Sequence, residues 1–295
     1  MDKVFQIGTF CFRLTCIQEI PIPANFLLFE VSQDAKPEFT YHLDIKGYLP
    51  SPEGRILARR PDLTVFETAD GEARLIGSLG GTAYYASYRE MSEQRAEITL
   101  SVHEIGDLLF DTVFTSLFAL ERQMIRRNSL ILHCAYVKYQ GEAILFSAPS
   151  ETGKSTQADL WKRYRGSNTI NGDRALLRKT ENRWTACGWP VCGSSEICNL
   201  GDTPIRAIVM LRQGKENHVE RLSPFQAFTL LYAQITINQW NRDFVEKAMS
   251  EIEDLISQIP VWQLTCDISE NAVKCLETVL FPVTDSKAGD AIHET

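Results

Sequence analysis

Residues 144–161, ILFSAPSETGKSTQADLW, constrain the fold of this chain more than any other stretch. The apolar run 143–146 reads as a strand. It feeds a loop that closes on Gly153-Lys154-Ser155-Thr156, and residues 155–165 carry a helical pattern. Strand, loop and helix in this order form a unit in which backbone N–H groups and a helix N-terminus wrap phosphate oxygens. A lysine then adds a point charge at the β and γ phosphates, and a Ser/Thr hydroxyl holds Mg²⁺. The loop departs from G-x-x-x-x-G-K-[ST] at its first position, where Ala148 stands, a mild loss if φ there is negative. Glu151 puts a carboxylate into a loop suited to polyanions, so it must point outward or toward a metal.

Magnesium also needs a carboxylate or its waters at the end of a neighbouring strand. Asp173, in TINGDRALL, is the candidate. It either orders metal-bound water or takes a proton from an attacking hydroxyl, and as a plain turn residue after Asn171-Gly172 it would do neither.

The rest of the chain divides by pattern. Residues 1–106 are expected to form a β-rich domain, with strands over 26–31, 63–67, 82–88 and 96–102 separated by turn formers. An amphipathic helix over 107–127 is expected to connect it to a second domain at 129–284. There, two strands surround a turn at Gln140-Gly141, and a hairpin turns about Thr180-Glu181-Asn182. A buried strand is expected at 205–211, helices at 224–235 and 242–259, a strand at 261–266 and a helix at 271–279. The polar tail 285–295 reads as disordered.

Net charge is −8 and the pI is near 5.3, which gives no electrostatic pull toward nucleic acid or an anionic membrane. No long apolar run suggests a membrane span or a secretory leader. The eight cysteines lack C-x-x-C spacing and read as reduced thiols of a cytoplasmic protein, and Cys187, Cys192 and Cys198 fit no usual zinc spacing. His42 and His103 stand apart from any ligand set. Trp184, Trp189 and Trp240 read as core residues, with stacking on an adenine as the alternative. Ser194 and Ser195 could meet a substrate phosphate or form a plain turn, and Arg212 is a candidate second phosphate clamp.

Taken together, His133 in ILHCAYVKYQGEAILFSAPSETGKST and the later INGDRALL resemble the C-terminal catalytic domain of bacterial HPr kinase/phosphorylases, over residues 129–214. The resemblance implies an HPr-kinase-like P-loop domain with a mixed sheet; with the β-rich N-terminal domain read from its own pattern, to which the resemblance does not extend, the chain is expected to be α/β. It implies ATP and Mg²⁺ as cofactors, and as partner a hydroxyl-bearing peptide, protein or small-molecule acceptor; a homo-oligomer is left open.

Carried over by position, His133 stands near the transferred phosphate. Ser150, Glu151, Thr152, Gly153, Lys154, Ser155 and Thr156 form the loop, with Arg174 beside them. Ser155 and Asp173 attend the metal, and His133, Asp173 and Lys154 form the catalytic set. Ala148 and Glu151 replace loop glycines, Cys134 replaces a glycine after the histidine, and Gly172 replaces the first aspartate of a pair. The reading is an ATP-dependent phosphotransferase. Its alternative is a catalytically reduced nucleotide-binding sensor or accessory subunit; a decarboxylating carboxykinase fits poorly, because the chain is short and lacks an arginine-rich oxyacid site.

Overall fold

The computed structural model describes residues 1–78, 81, 83–180 and 183–282. The chain opens with β1 (Asp2–Ile7) and β2 (Phe10–Cys16), a hairpin that the sequence reading did not anticipate. After α1 (Ala24–Leu27) come β3 (Glu30–Val31), β4 (Phe39–Lys46), β5 (Arg55–Arg60), β6 (Leu63–Thr68), β7 (Gly71–Gly77), β8 (Tyr84–Ser92) and β9 (Arg95–Ser101). They make one sheet in the order β3-β1-β2-β4-β9-β8-β7-β6-β5.

Alternation drives burial here. In β2, Phe10, Phe12, Leu14 and Cys16 all face the core. The strand expected over 26–31 is instead a helical turn followed by a two-residue strand. Pro23 holds extended geometry before the turn, and Phe26 swings inward to meet Phe114 with ring centroids 4.8 Å apart. Of the strand expected at 82–88, Thr82 lies outside the described residues.

The connecting helix expected over 107–127 is three pieces: a 3₁₀ segment (Val102–Leu109), α2 (Asp111–Ser116) and α3 (Leu120–Arg126). Ala119 breaks it, with φ +47° in left-handed geometry. The break lets Phe114, Leu117 and Phe118 bury completely against the N-terminal sheet, while Ile125 turns to the second sheet.

The second sheet comprises β10 (Ser129–Tyr139), β11 (Glu142–Ser147), β12 (Asn168–Asn171), β13 (Arg174–Thr180), β14 (Arg183–Cys187), β15 (Asp202–Gln213), β16 (His218–Arg221) and β17 (Val261–Cys266). β10 and β11 form the expected antiparallel hairpin, with Gln140 and Gly141 at φ +49° and +80° in its turn. β11 and β17 flank β15 in parallel, whereas β14 meets it antiparallel, so the sheet is mixed.

Both faces are covered. Ile144, Phe146, Val209 and Leu264 pack under α4 (Lys154–Arg165) and α7 (Glu270–Leu280). Leu145, Ile208 and Met210 pack under α5 (Pro224–Tyr232) and α6 (Arg242–Gln258). The helix expected over 224–235 stops at Tyr232; after a turn at 233–234 the chain passes beside β10, where Ile235 bridges Leu132. Trp184 and Trp189 are buried as expected. The hairpin residues Glu181 and Asn182 and the tail 285–295 lie outside the described residues.

Candidate functional site

The loop leaves β11 at the carboxyl end of the parallel strands β11, β15 and β17, where open α/β sheets place their ligands. Ala148 is fully buried in the apolar layer under α4, and its φ is negative. A methyl group there fills core rather than obstructing the loop. Glu151 is exposed with φ +65°, so it keeps the left-handed turn a glycine would supply at a cost of roughly 1 kcal/mol. Gly153, at φ +114°, precedes α4, whose N-terminus has no side-chain cap. The orphan N–H groups of the helix therefore remain free for an anion.

Lys154 is 8% exposed, and its Nζ donates to the carbonyls of Ala148 (3.0 Å) and Pro149 (3.2 Å). Burial pulls its ammonium below the ordinary lysine range, against the opposing pull of Asp173 and the Cys134 thiol. Ser150 and Ser155 are exposed and Thr152 is half-buried. Beside the loop opens a cavity of about 500 Å³, lined by Thr156 and Gln157 of α4, Gln213 at the end of the parallel strand β15, Cys266 at the end of β17 and Asp267 after it. Gln157 Nε2 donates to Cys266 Sγ at 3.1 Å, and its buried Oε1 has no partner.

Three backbone links tie the loop to the residues read as catalytic. Ser147, the last residue before the loop, pairs with Cys134, and its hydroxyl donates to the His133 carbonyl at 2.7 Å. The Cys134 N–H donates to the Asp173 carbonyl at 2.9 Å. His133 Nε2 lies 3.5 Å from Asp173 Oδ1, and Arg174 Nε donates to the other oxygen at 3.1 Å. Burial works against the Asp173 charge, but the His133 hydrogen bond and the Arg174 charge outweigh it and hold the carboxyl below its ordinary range.

Asn171 and Gln234 also shape this site, although sequence reasoning did not single them out. Fully buried Asn171 accepts from the N–H groups of Asp173 (2.8 Å) and Arg174 (2.9 Å) and donates to the carbonyls of Trp189 (2.8 Å) and Val191 (3.0 Å). The Asn-Gly-Asp turn was the available signal. Gln234 Oε1 lies 3.3 Å from His133 Nδ1, 101 residues along the chain and without any local pattern to mark it.

Gly172 has a steric explanation. A Cβ there would stand 2.0 Å from Ser195 Oγ, so Ser195 occupies the space an aspartate side chain needs. Ser194 and Ser195 fall in a short 3₁₀ turn, where Ser195 Oγ donates to the Cys192 carbonyl at 2.7 Å. Arg212 is exposed at the end of β15. Cys187, Cys192 and Cys198 address Arg178, Asp111 and the Trp189 carbonyl respectively. Among the described residues, no three His, Cys, Asp or Glu side chains gather to hold a metal, and no helix is long and apolar enough to cross a membrane.

A solved structure similar to this chain is the Hpr(Ser) kinase/phosphatase from Coxiella burnetii, at 11% identity and a TM-score of 0.31, covering 51% of this chain and 87% of that one. The likeness is a loose one. No curated protein matches the chain. The model of the family described as SynChlorMet cassette protein ScmC matches residues 103–281, more than half of the chain, and the chain belongs to that family.

Proposed function

We propose that the chain is an ATP-dependent phosphotransferase acting on a hydroxyl of a peptide, protein or small molecule. The observation that carries this reading is the convergence of an uncapped loop–helix unit and its buried lysine with the His133–Asp173–Arg174 cluster, through Ser147 and Cys134. Lys154 leaves the Ala148 and Pro149 carbonyls to meet the phosphates, Arg174 offsets charge on the transferred group, and His133 contacts that group. Asp173, kept ionised, takes the proton of the attacking hydroxyl.

The cavity beside Gln157 accommodates the nucleoside, whose amino or hydroxyl groups can satisfy Gln157 Oε1. The Ser155 hydroxyl and the Asp173 carboxylate are hard oxygen donors of the kind Mg²⁺ takes alongside substrate phosphates, and they are the residues that would hold it. A magnesium ion held there would supply positive charge to offset that of the phosphate oxygens.

One observation favours a second reading, a nucleotide-binding sensor or accessory subunit. Ser195 leaves no room for a second carboxylate at Gly172, so a single aspartate serves both metal and proton. Purified protein with γ-labelled ATP and Mg²⁺, assayed with and without cell extract, separates the two. Lys154→Ala is expected to cut transfer about 10²-fold or more while keeping the far-UV circular dichroism of the parent. Full transfer by that variant would sink the loop assignment. Nucleotide binding by the parent without turnover on any acceptor supports the sensor.

A further inference from the structure

The residues after α5 link two regions that the sequence keeps far apart. Ile235 bridges Leu132, the His133 N–H donates to the Gln234 carbonyl, and the Thr236 N–H donates to the Ile131 carbonyl, so the segment lies as an extra edge along β10. Alternate side chains then make specific contacts in turn. Gln234 Oε1 meets His133 Nδ1 at 3.3 Å, and Thr236 Oγ1 accepts from Arg174 Nη1 at 3.2 Å. Asn238, 3% exposed, donates to Glu121 Oε1 at 3.0 Å, and Trp240 Nε1 donates to Glu72 Oε2 at 3.1 Å.

The far end is anchored on buried charge. Arg74 binds Glu72 (2.7 Å) and Glu121 (2.6 Å), Arg122 binds Glu72 (2.8 Å) and both oxygens of Glu90 (2.8 Å), and the Arg74 guanidinium lies 5.8 Å from the Trp240 ring centre. Glu72, Arg74 and Glu90 belong to β7 and β8 of the N-terminal sheet.

We propose that residues 234–240 are a positioning strap: Gln234 and Thr236 orient His133 and Arg174, and the N-terminal sheet with α3 sets that orientation by mooring Trp240 on Glu72 of β7 and Asn238 on Glu121 of α3. The strap thereby gives the β-rich part of the chain a role at the site. The strap rests on the phosphotransfer reading only for its kinetic consequences, because its effect on the His133 ring is a property of the free protein.

The test uses the whole chain with two readouts. The Hε1–Cε1 resonance of His133 is assigned among the five histidines by its loss in His133→Asn. Trp240→Phe keeps an aromatic ring against Arg74 while removing the N–H donor to Glu72 and part of the ring volume; Thr236→Val removes the acceptor for Arg174 at nearly constant volume. Tyr85→Phe serves as a control, since it strips a hydrogen bond to the Val113 carbonyl near the same sheet without reaching the strap.

Trp240→Phe and Thr236→Val are expected to move the His133 resonance and to lower kcat about tenfold, with the nucleotide KM within about twofold. Tyr85→Phe is expected to lower Tm and leave both unchanged. The strap is refuted if Trp240→Phe lowers Tm while the His133 resonance stays where Tyr85→Phe leaves it. If the parent shows no transfer, the phosphotransfer reading fails by itself, and the resonance still decides the strap.

Discussion

At the scale of single residues, the departures from a phosphate-loop pattern have separate physical explanations. Ala148 is core, and Glu151 holds a left-handed turn while facing solvent. Gly172 is a matter of space. Gly172→Asp should destabilise the protein by about 1–3 kcal/mol, because the new Cβ overlaps Ser195 Oγ and overpacked sites relax only in part. The double change Gly172→Asp with Ser195→Gly should recover most of that loss in urea unfolding. Equal stability of the single and double variants would show that Ser195 is not the obstacle. The residue types of this site were legible in the sequence as His133, Lys154 and Asp173. What was not legible is the occupant of the space beside Gly172, because that side chain arrives from 23 residues away.

At the scale of elements, α4 begins and ends on glycines in left-handed geometry, Gly153 at φ +114° and Gly166 at φ +64°. Gly166 closes the helix through its N–H to the Lys162 carbonyl at 3.0 Å, as a left-handed C-cap does. A Cβ at Gly153 meets nothing nearer than Thr156 Cβ at 4.0 Å, and one at Gly166 meets nothing within 4 Å, so alanine at either position costs backbone strain of about 1–2 kcal/mol and little else in packing. Gly153→Ala and Gly166→Ala should therefore lose similar stability by thermal melting. Only Gly153→Ala should also weaken nucleotide binding by calorimetry, since it alone moves the N–H groups at the helix start. Equal loss of binding in both would mean that the N-terminus of α4 is not where phosphate sits.

The hairpin β10–β11, the helix α4 and the parallel strands β15 and β17 followed from periodicity and turn residues. The broken connection at Ala119 did not, because an amphipathic pattern records which residues are buried and not whether two different cores bury them.

At the scale of the whole molecule, the buried charge cluster binds β7, β8, α3 and the strap into one network. Burial opposes the Glu90 charge, but the hydrogen bonds and charge of Arg122 outweigh it and hold the carboxyl below its ordinary range. Arg122→Met leaves Glu90, 4% exposed, with Arg126 at 3.4 Å as its one cationic partner among the described residues, beside the Glu72 N–H and the Tyr88 hydroxyl, and should cost about 3–5 kcal/mol in chemical denaturation. A loss under about 1 kcal/mol would show that water reaches the cluster and the charges are not committed to one another. The sequence by itself determined the α/β character, most strand and helix positions of the second sheet and the helices that cover it, and the residue types of the loop around Lys154, because these depend on residue type and on periods of two and 3.6 residues. Only the tertiary structure decided that Asp173 faces His133, that Ser195 fills the space at Gly172, and that residues 234–240 join the site to the N-terminal sheet. Those contacts join residues 23 to 168 positions apart, and no local pattern encodes which distant side chain packing will bring alongside.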